Sequence, residues 1–177
     1  MQAAHAESES TVSTSSRRTA LTLFGVTAVA LYLVDLGTKT VALERLADGR
    51  RIDVLGDLLG FRLTFNPGAA FGTGTSYTAV LSCIAMVAVG VVLWLSRRVA
   101  DRLWALALGL LLAGVLGNLT DRIFRAPGPF EGHVVDFIQL PNWPIFNVAD
   151  MCINVAAVLI LVQAFRGVRL DGTRDGK

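Results

Sequence analysis

The stretch Phe146-Asn147-Val148-Ala149-Asp150-Met151-Cys152-Ile153-Asn154-Val155-Ala156-Ala157-Val158-Leu159-Ile160-Leu161-Val162-Gln163-Ala164-Phe165 decides the fold. A bilayer core takes roughly 20 residues of helix at 1.5 Å rise each, and this run is long and apolar enough to span it. Yet Asp150 lies near its start. A carboxylate near hydrocarbon costs several kcal/mol unless it is paired or employed, so an ionisable residue at such a place is a functional candidate. A few residues upstream, His133-Val134-Val135-Asp136-Phe137 holds a second aspartate in an apolar setting. Two such carboxylates suggest acid–base chemistry.

Composition agrees with a membrane protein. Of 177 residues, 53% are hydrophobic and only 17% charged, against about a quarter charged in soluble domains, and the mean hydropathy is +0.56. One integrated domain is the natural count. A formal charge of +2, with no basic run interleaved with aromatics, argues against nucleic-acid binding. Cys83 and Cys152 lie in apolar spans without C-x-x-C spacing and read as small buried hydrophobes.

Residues 1–16 are rich in Ser, Thr, Ala and Glu, which predicts a disordered tail. Arg17 and Arg18 then precede an apolar run from Ala20 to Val34 that has the look of an export leader. A retained first span is the better reading, because the helix continues through Asp35 and Lys39 without a small-residue cleavage site. Four spans are expected, at about 20–37, 77–95, 103–120 and 146–165. Residues 17–166 would form the membrane domain and 167–177 a second tail.

Arginine density places both termini in the cytoplasm and both long loops outside. In the first outer loop, Ile52 and Val54, then Phe61, Leu63 and Phe65, alternate with Arg62 and Thr64, which predicts a small hairpin at the membrane surface. The second outer loop, from about Asp121 to Ile145, carries Pro127, Pro129, Pro141 and Pro144 and is expected to be irregular and mobile. The expected class is therefore an all-α integral membrane protein, four transmembrane helices with a small extracytoplasmic hairpin or sheet.

Polar residues recur at helical spacing near the outer ends of the spans: Asp35 with Lys39, Asn118 with Arg122, Asn147 with Asp150, and Asp150 with Asn154. Each has a plain structural reading. Asp35 and Lys39 can be an ion pair closing a span; Asn118, Asn147 and Asn154 can be interhelical glue; Asp121 can be neutralised by Arg122 and Arg125; Asp150 alone can be a helix N-terminal acid favoured by the macrodipole. Other catalytic schemes fit less well. The only histidines are His5 and His133, so a multi-histidine zinc site is unavailable, and G-x-S-x-G and phosphate-loop motifs do not occur. Cys152 with His133 would need a thiolate inside an apolar helix. Two close carboxylates cannot readily both ionise, so one keeps a proton while the other draws one from water, a division that hydrolyses an amide without a metal or other cofactor.

The segments Asn66-Pro67-Gly68-Ala69-Ala70-Phe71-Gly72, Gly117-Asn118-Leu119-Thr120-Asp121-Arg122, Val134-Val135-Asp136-Phe137 and Phe146-Asn147-Val148-Ala149-Asp150, in this order among four spans, closely resemble bacterial lipoprotein signal peptidase, or signal peptidase II. The resemblance implies an aspartic endopeptidase of the bacterial cytoplasmic membrane that cuts prolipoproteins before their diacylglyceryl-modified cysteine. By that comparison Asp136 and Asp150 match the catalytic pair, and Asp35, Lys39, Asn66, Gly68, Asn118, Arg122 and Asn147 match the substrate-binding or active-site shell. The implied partners are lipid-modified prolipoproteins and membrane lipids, with the site near the extracytoplasmic face and the protein a monomer. Leu36 departs from the glutamine often found after the first-span aspartate, and the segment Phe124–Gly132 looks longer than usual. Gly68 to Gly72 is a candidate lid. Two rivals stand beside this reading, a small proton-coupled transporter using Asp35, Asp121 and Asp150 as a relay, and a non-catalytic scaffold.

Overall fold

The computed structural model describes residues 2–68 and 78–174, with side chains from Ser16 onward. The candidate lid residues Ala69 to Gly72 therefore lie outside the described residues. Seven elements follow in order: α1 (Gln2–Arg45), β1 (Ile52–Leu55), β2 (Leu59–Asn66), α2 (Thr78–Ser96), α3 (Arg102–Phe124), β3 (Val134–Gln139) and α4 (Val148–Phe165). Four helices are long and apolar enough to cross a membrane, the first counted from Ser16 to Arg45.

α3 is the hub, packing against α1, α4 and α2. Its centre is buried on several sides, through Ala105, Ala107, Leu108, Leu112 and Ala113. Helices in lipid associate by close packing rather than by hydrophobic exclusion, so small residues are needed where backbones meet. Gly114 faces the Ala149 carbonyl and Ile153 of α4, and Gly117 faces the Asp35 carboxylate of α1 and the Ala149 methyl; a Cβ at either position would collide. These glycines let the polar ends of α1, α3 and α4 converge.

The strands form one antiparallel sheet in the order β1-β2-β3. The expected hairpin is present, but the second outer loop is not irregular throughout, because β3 pairs with β2 from Gly60↔Gln139 to Asn66↔Val134. Between Phe61↔Ile138 and Thr64↔Asp136, β2 advances three residues while β3 advances two. That bulge breaks the alternation. Phe61 and Leu63 pack with Ala42, Leu46 and Phe137, whereas Phe65 is 51% exposed instead of sharing their face.

Three boundaries differ from the sequence reading. Helical backbone runs back to Gln2 through the segment assigned to a disordered tail; no Gly or Pro interrupts residues 2–16, and extending an existing helix costs far less than nucleating one. α3 continues one turn beyond Thr120, so Asp121 and Arg122 are helical rather than loop residues. The C-terminal segment folds back onto the bundle: the amides of Ala100 and Asp101 donate to the Leu170 carbonyl (2.9 and 3.2 Å), Trp104 Nε1 donates to the Val168 carbonyl (2.8 Å), and Leu170 packs on the Phe24 and Leu108 cluster.

Candidate active site

Lys39 is fully buried, with its ammonium 2.8 Å from Asp35 Oδ2 and 2.8 Å from Asp121 Oδ2. One cation between two carboxylates leaves a negative excess, and Arg125, one helical turn after Asp121, pairs with that aspartate to balance the group. An ion group this deep is tolerated only when each lone pair also finds a donor. Here the donors are backbone amides of the neighbouring segments: Val135 N–H donates to Asp121 Oδ2 (3.2 Å) and Ala149 N–H to Asp35 Oδ1 (2.8 Å). Val135 precedes Asp136 on β3, and Ala149 precedes Asp150 on α4. The ion group thus holds the backbone immediately before each candidate aspartate.

Three asparagines then orient the carboxylates. Asn147 is the N-cap of α4, and its Oδ1 accepts the Asp150 N–H (2.9 Å) while its own N–H donates to Asp150 Oδ2 (3.3 Å), a reciprocal capping box. With its oxygen so used, its Nδ2 points at Asp136 Oδ1 (2.6 Å), and also reaches Asn118 Oδ1 (3.1 Å) and the Val135 carbonyl (3.3 Å). Asn118 Oδ1 also accepts from Lys39 Nζ (3.1 Å), so its Nδ2 is free to donate to Asp150 Oδ1 (2.7 Å). Asn66 Oδ1 accepts the Gly68 N–H (2.8 Å), which directs Nδ2 at Asp136 Oδ2 (2.9 Å). Gly68 has φ +101, and a side chain there would strike Leu81, so this turn requires glycine.

Asp150, Asn66, Gly68, Arg122, Asn154 and Trp143 are among the residues lining a cleft of about 490 Å³. Asp136 lies behind it, 1% exposed. Burial, reinforced by the nearby Asp150 charge and opposed by the amides of Asn66 and Asn147, pushes the Asp136 carboxyl from 3.8 up to about 7. Arg122 pairs with no carboxylate in the described structure; its Nε is buried without a hydrogen-bond partner.

All nine residues singled out from the sequence converge here. Of the two cations expected to neutralise Asp121, Arg125 pairs with it and Arg122 does not; the partner the sequence did not give is Lys39 of α1. The backbone donors of Val135 and Ala149 carry no sequence signal. Cys152 and His133 are not brought together: Cys152 packs with Leu110 and Ala156, while His133 lies beside Phe65 and Arg125.

Four helices long and apolar enough to cross a membrane, with buried carboxylates gathered where α1, α3, α4 and β3 meet, define a multi-span membrane protein with a polar site. Residues 27–166 match the family model described as signal peptidase (SPase) II. The chain is 48% identical over 157 residues to the lipoprotein signal peptidase of Streptomyces griseus, covering 89% of this chain and 80% of that protein. It is 44% identical over 144 residues to the Mycobacterium tuberculosis protein of the same name, covering 81% and 71%. A bacterial membrane enzyme solved by the in meso method superposes with a TM-score of 0.73 at 25% identity, covering 87% of this chain and 94% of that one. The chain belongs to the signal peptidase II family. Nothing in these likenesses supports the transporter reading.

Removing the Lys39 ammonium leaves two buried carboxylates without their shared cation, a defect worth roughly 3–5 kcal/mol. Lys39→Met is expected to lower the unfolding midpoint in detergent markedly, and Lys39→Met/Asp121→Asn to recover part of the loss. Thermal unfolding of the three proteins side by side checks this; equal midpoints for Lys39→Met and wild type would rule out the ion group as a structural centre.

Proposed function

We propose that this protein removes signal peptides from bacterial prolipoproteins, hydrolysing the amide bond before the diacylglyceryl-modified cysteine with Asp136 and Asp150 as the catalytic pair. The observation that carries the assignment is the Asn147 side chain, which binds Asp136 with its nitrogen and the Asp150 amide with its oxygen. One side chain thereby fixes the relative placement of both groups. Asp150, at the cleft wall, takes a proton from water as the water oxygen attacks the scissile carbonyl carbon. Asp136, enclosed and poised to hold a proton near neutrality, donates a hydrogen bond to the carbonyl oxygen as negative charge develops there. Collapse of the tetrahedral intermediate breaks the C–N bond, and the proton taken up by the pair passes to the leaving cysteine nitrogen. The products are a carboxylate on the signal peptide and a free amine on the lipidated cysteine.

The remaining assignments belong to the same proposal. Asn66, Asn118 and Asn147 orient the pair, Asp35 and Lys39 anchor it, Gly68 shapes the cleft floor, and Arg122 offers an unpaired guanidinium to a substrate carbonyl. Residues 17–166 are the peptidase domain, acting as a monomer in the cytoplasmic membrane. Both termini lie in the cytoplasm and the cleft lies at the outer face, where membrane lipids and the lipid-anchored substrate enter laterally between apolar helices.

Asp136→Asn and Asp150→Asn are each expected to lower cleavage of a diacylglyceryl-modified prolipoprotein peptide by about 10²–10⁴-fold or more while leaving the fold intact. Cleavage at the wild-type rate by either purified, folded variant would remove that aspartate from the mechanism. The wild-type rate should also decline as pH rises through about 7, because Asp136 then loses the proton that the carbonyl requires. Its raised value in the folded state further means that the folded protein holds this proton more tightly than the unfolded chain. Its contribution to stability therefore falls as pH rises from about 4 to about 7. A profile of kcat/KM flat from pH 6 to 8.5 would contradict the assignment of that proton to Asp136.

A further inference from the structure

Trp143 is 65% exposed and lines two depressions at once. On one side is the cleft holding Asp150. On the other is a groove of about 360 Å³ bordered by Arg51, Asp57, Gln139, Pro141 and Asn142. The wall between them is built stiffly. Pro141 and Pro144 bracket the turn, Asn142 adopts φ 55, and at its base Ile138 and Phe146 exchange backbone hydrogen bonds of 2.8 and 3.1 Å.

The two depressions differ in chemistry. The cleft is closed on one side by Leu81 of α2 and Ile153 of α4, both on helices apolar enough to cross the membrane. In the second groove, Arg51 lies across Gly60, pairs with Asp53 (2.8 Å) and donates to the Asp57 carbonyl (3.2 Å). Gln139, the last residue of β3, keeps its Oε1 enclosed without a hydrogen-bond partner. A buried acceptor without a donor is unfavourable, and Gln139 borders the groove, so a donor reaching it from that side would satisfy it.

The substrate has three branches at its cysteine. The signal segment and the diacylglyceryl group are apolar and stay in the bilayer. The polypeptide after the cysteine is hydrated and has to leave the cleft toward water. We propose that the groove beyond Trp143 receives this third branch: an extended polypeptide segment immediately following the lipidated cysteine, with a backbone N–H donating to Gln139 Oε1 and Trp143 packing on the chain as it crosses the wall. This deepens the peptidase reading and depends on it for the position of the scissile bond. Contact through the backbone favours an extended chain of almost any sequence.

Two measurements test the proposal. The first compares diacylglyceryl-modified peptides that end as an amide at the cysteine with peptides continuing six residues further, as a ratio of kcat/KM values. The extended peptide should be favoured about tenfold by wild type, and that ratio should fall toward one in Gln139→Ala. A ratio near one in wild type, or an unchanged ratio in Gln139→Ala, would overturn it. The second places a photoreactive residue two positions after the cysteine and maps its crosslinks in the Asp150→Asn protein, which holds substrate uncleaved. Crosslinks on Gln139, Asn142 or Trp143 support the groove, and crosslinks confined to α2 or α4 refute it. Failure of wild type to cleave either peptide would strike the peptidase reading instead, while the crosslinks would still report on the groove.

Discussion

The buried ammonium of Lys39 between Asp35 and Asp121 is the interaction on which the rest of this structure depends. Its two carboxylate partners come from α1 and α3, and their remaining lone pairs capture the amides of Ala149 on α4 and Val135 on β3. One charge group therefore joins three helices and the sheet. In a low-dielectric bundle such an arrangement has few alternatives: moving any one segment would leave a carboxylate or the ammonium uncompensated. The geometry at Asp136 and Asp150 is a consequence, since each follows directly on a residue whose backbone is held.

Around this anchor, Asn147, Asn118 and Asn66 are each fixed by using one end of the amide for structure. Asn147 gives its oxygen to the helix cap, Asn118 gives its oxygen to Lys39, and Asn66 gives its oxygen to the Gly68 turn. The nitrogen of each is thereby committed to a carboxylate. Two acids of the same type end in different surroundings, Asp136 enclosed behind the cleft and Asp150 on its wall. On the proposed mechanism, that asymmetry lets one keep a proton and the other meet water.

Much of this was legible in the sequence because it is local. Apolar runs of span length located the four helices, Asp150 was legible as an acid at a helix N-terminus, and Asp35 with Lys39 forms the expected i, i+4 pair. What escaped the sequence is long-range. Strand β3 was hidden among prolines, since its pairing partner lies on the far side of two helices in the chain, and the bulge that turns Phe65 outward exists only once β2 and β3 are registered. Asp121 forms the local i, i+4 pair with Arg125, whereas its salt bridge to Lys39 of α1 exists only once the helices pack. The return of Leu170 to the bundle likewise depends on Trp104 and the α2–α3 turn, which no local pattern announces.

The central claim, that the ion group acts by placing the aspartates rather than by touching substrate, is tested most directly at Asp35. Asparagine there retains an acceptor for the Ala149 amide, whereas leucine does not. Misplacement of a reacting group by about 1 Å can cost on the order of 10²-fold in rate. The steady-state constants of purified, folded Asp35→Leu and Asp35→Asn on a lipidated prolipoprotein peptide should therefore separate: kcat falls about a hundredfold in the leucine variant with KM within about twofold of wild type, and asparagine restores part of the loss. A folded Asp35→Leu enzyme with wild-type kcat, or one impaired only in KM, would contradict the account.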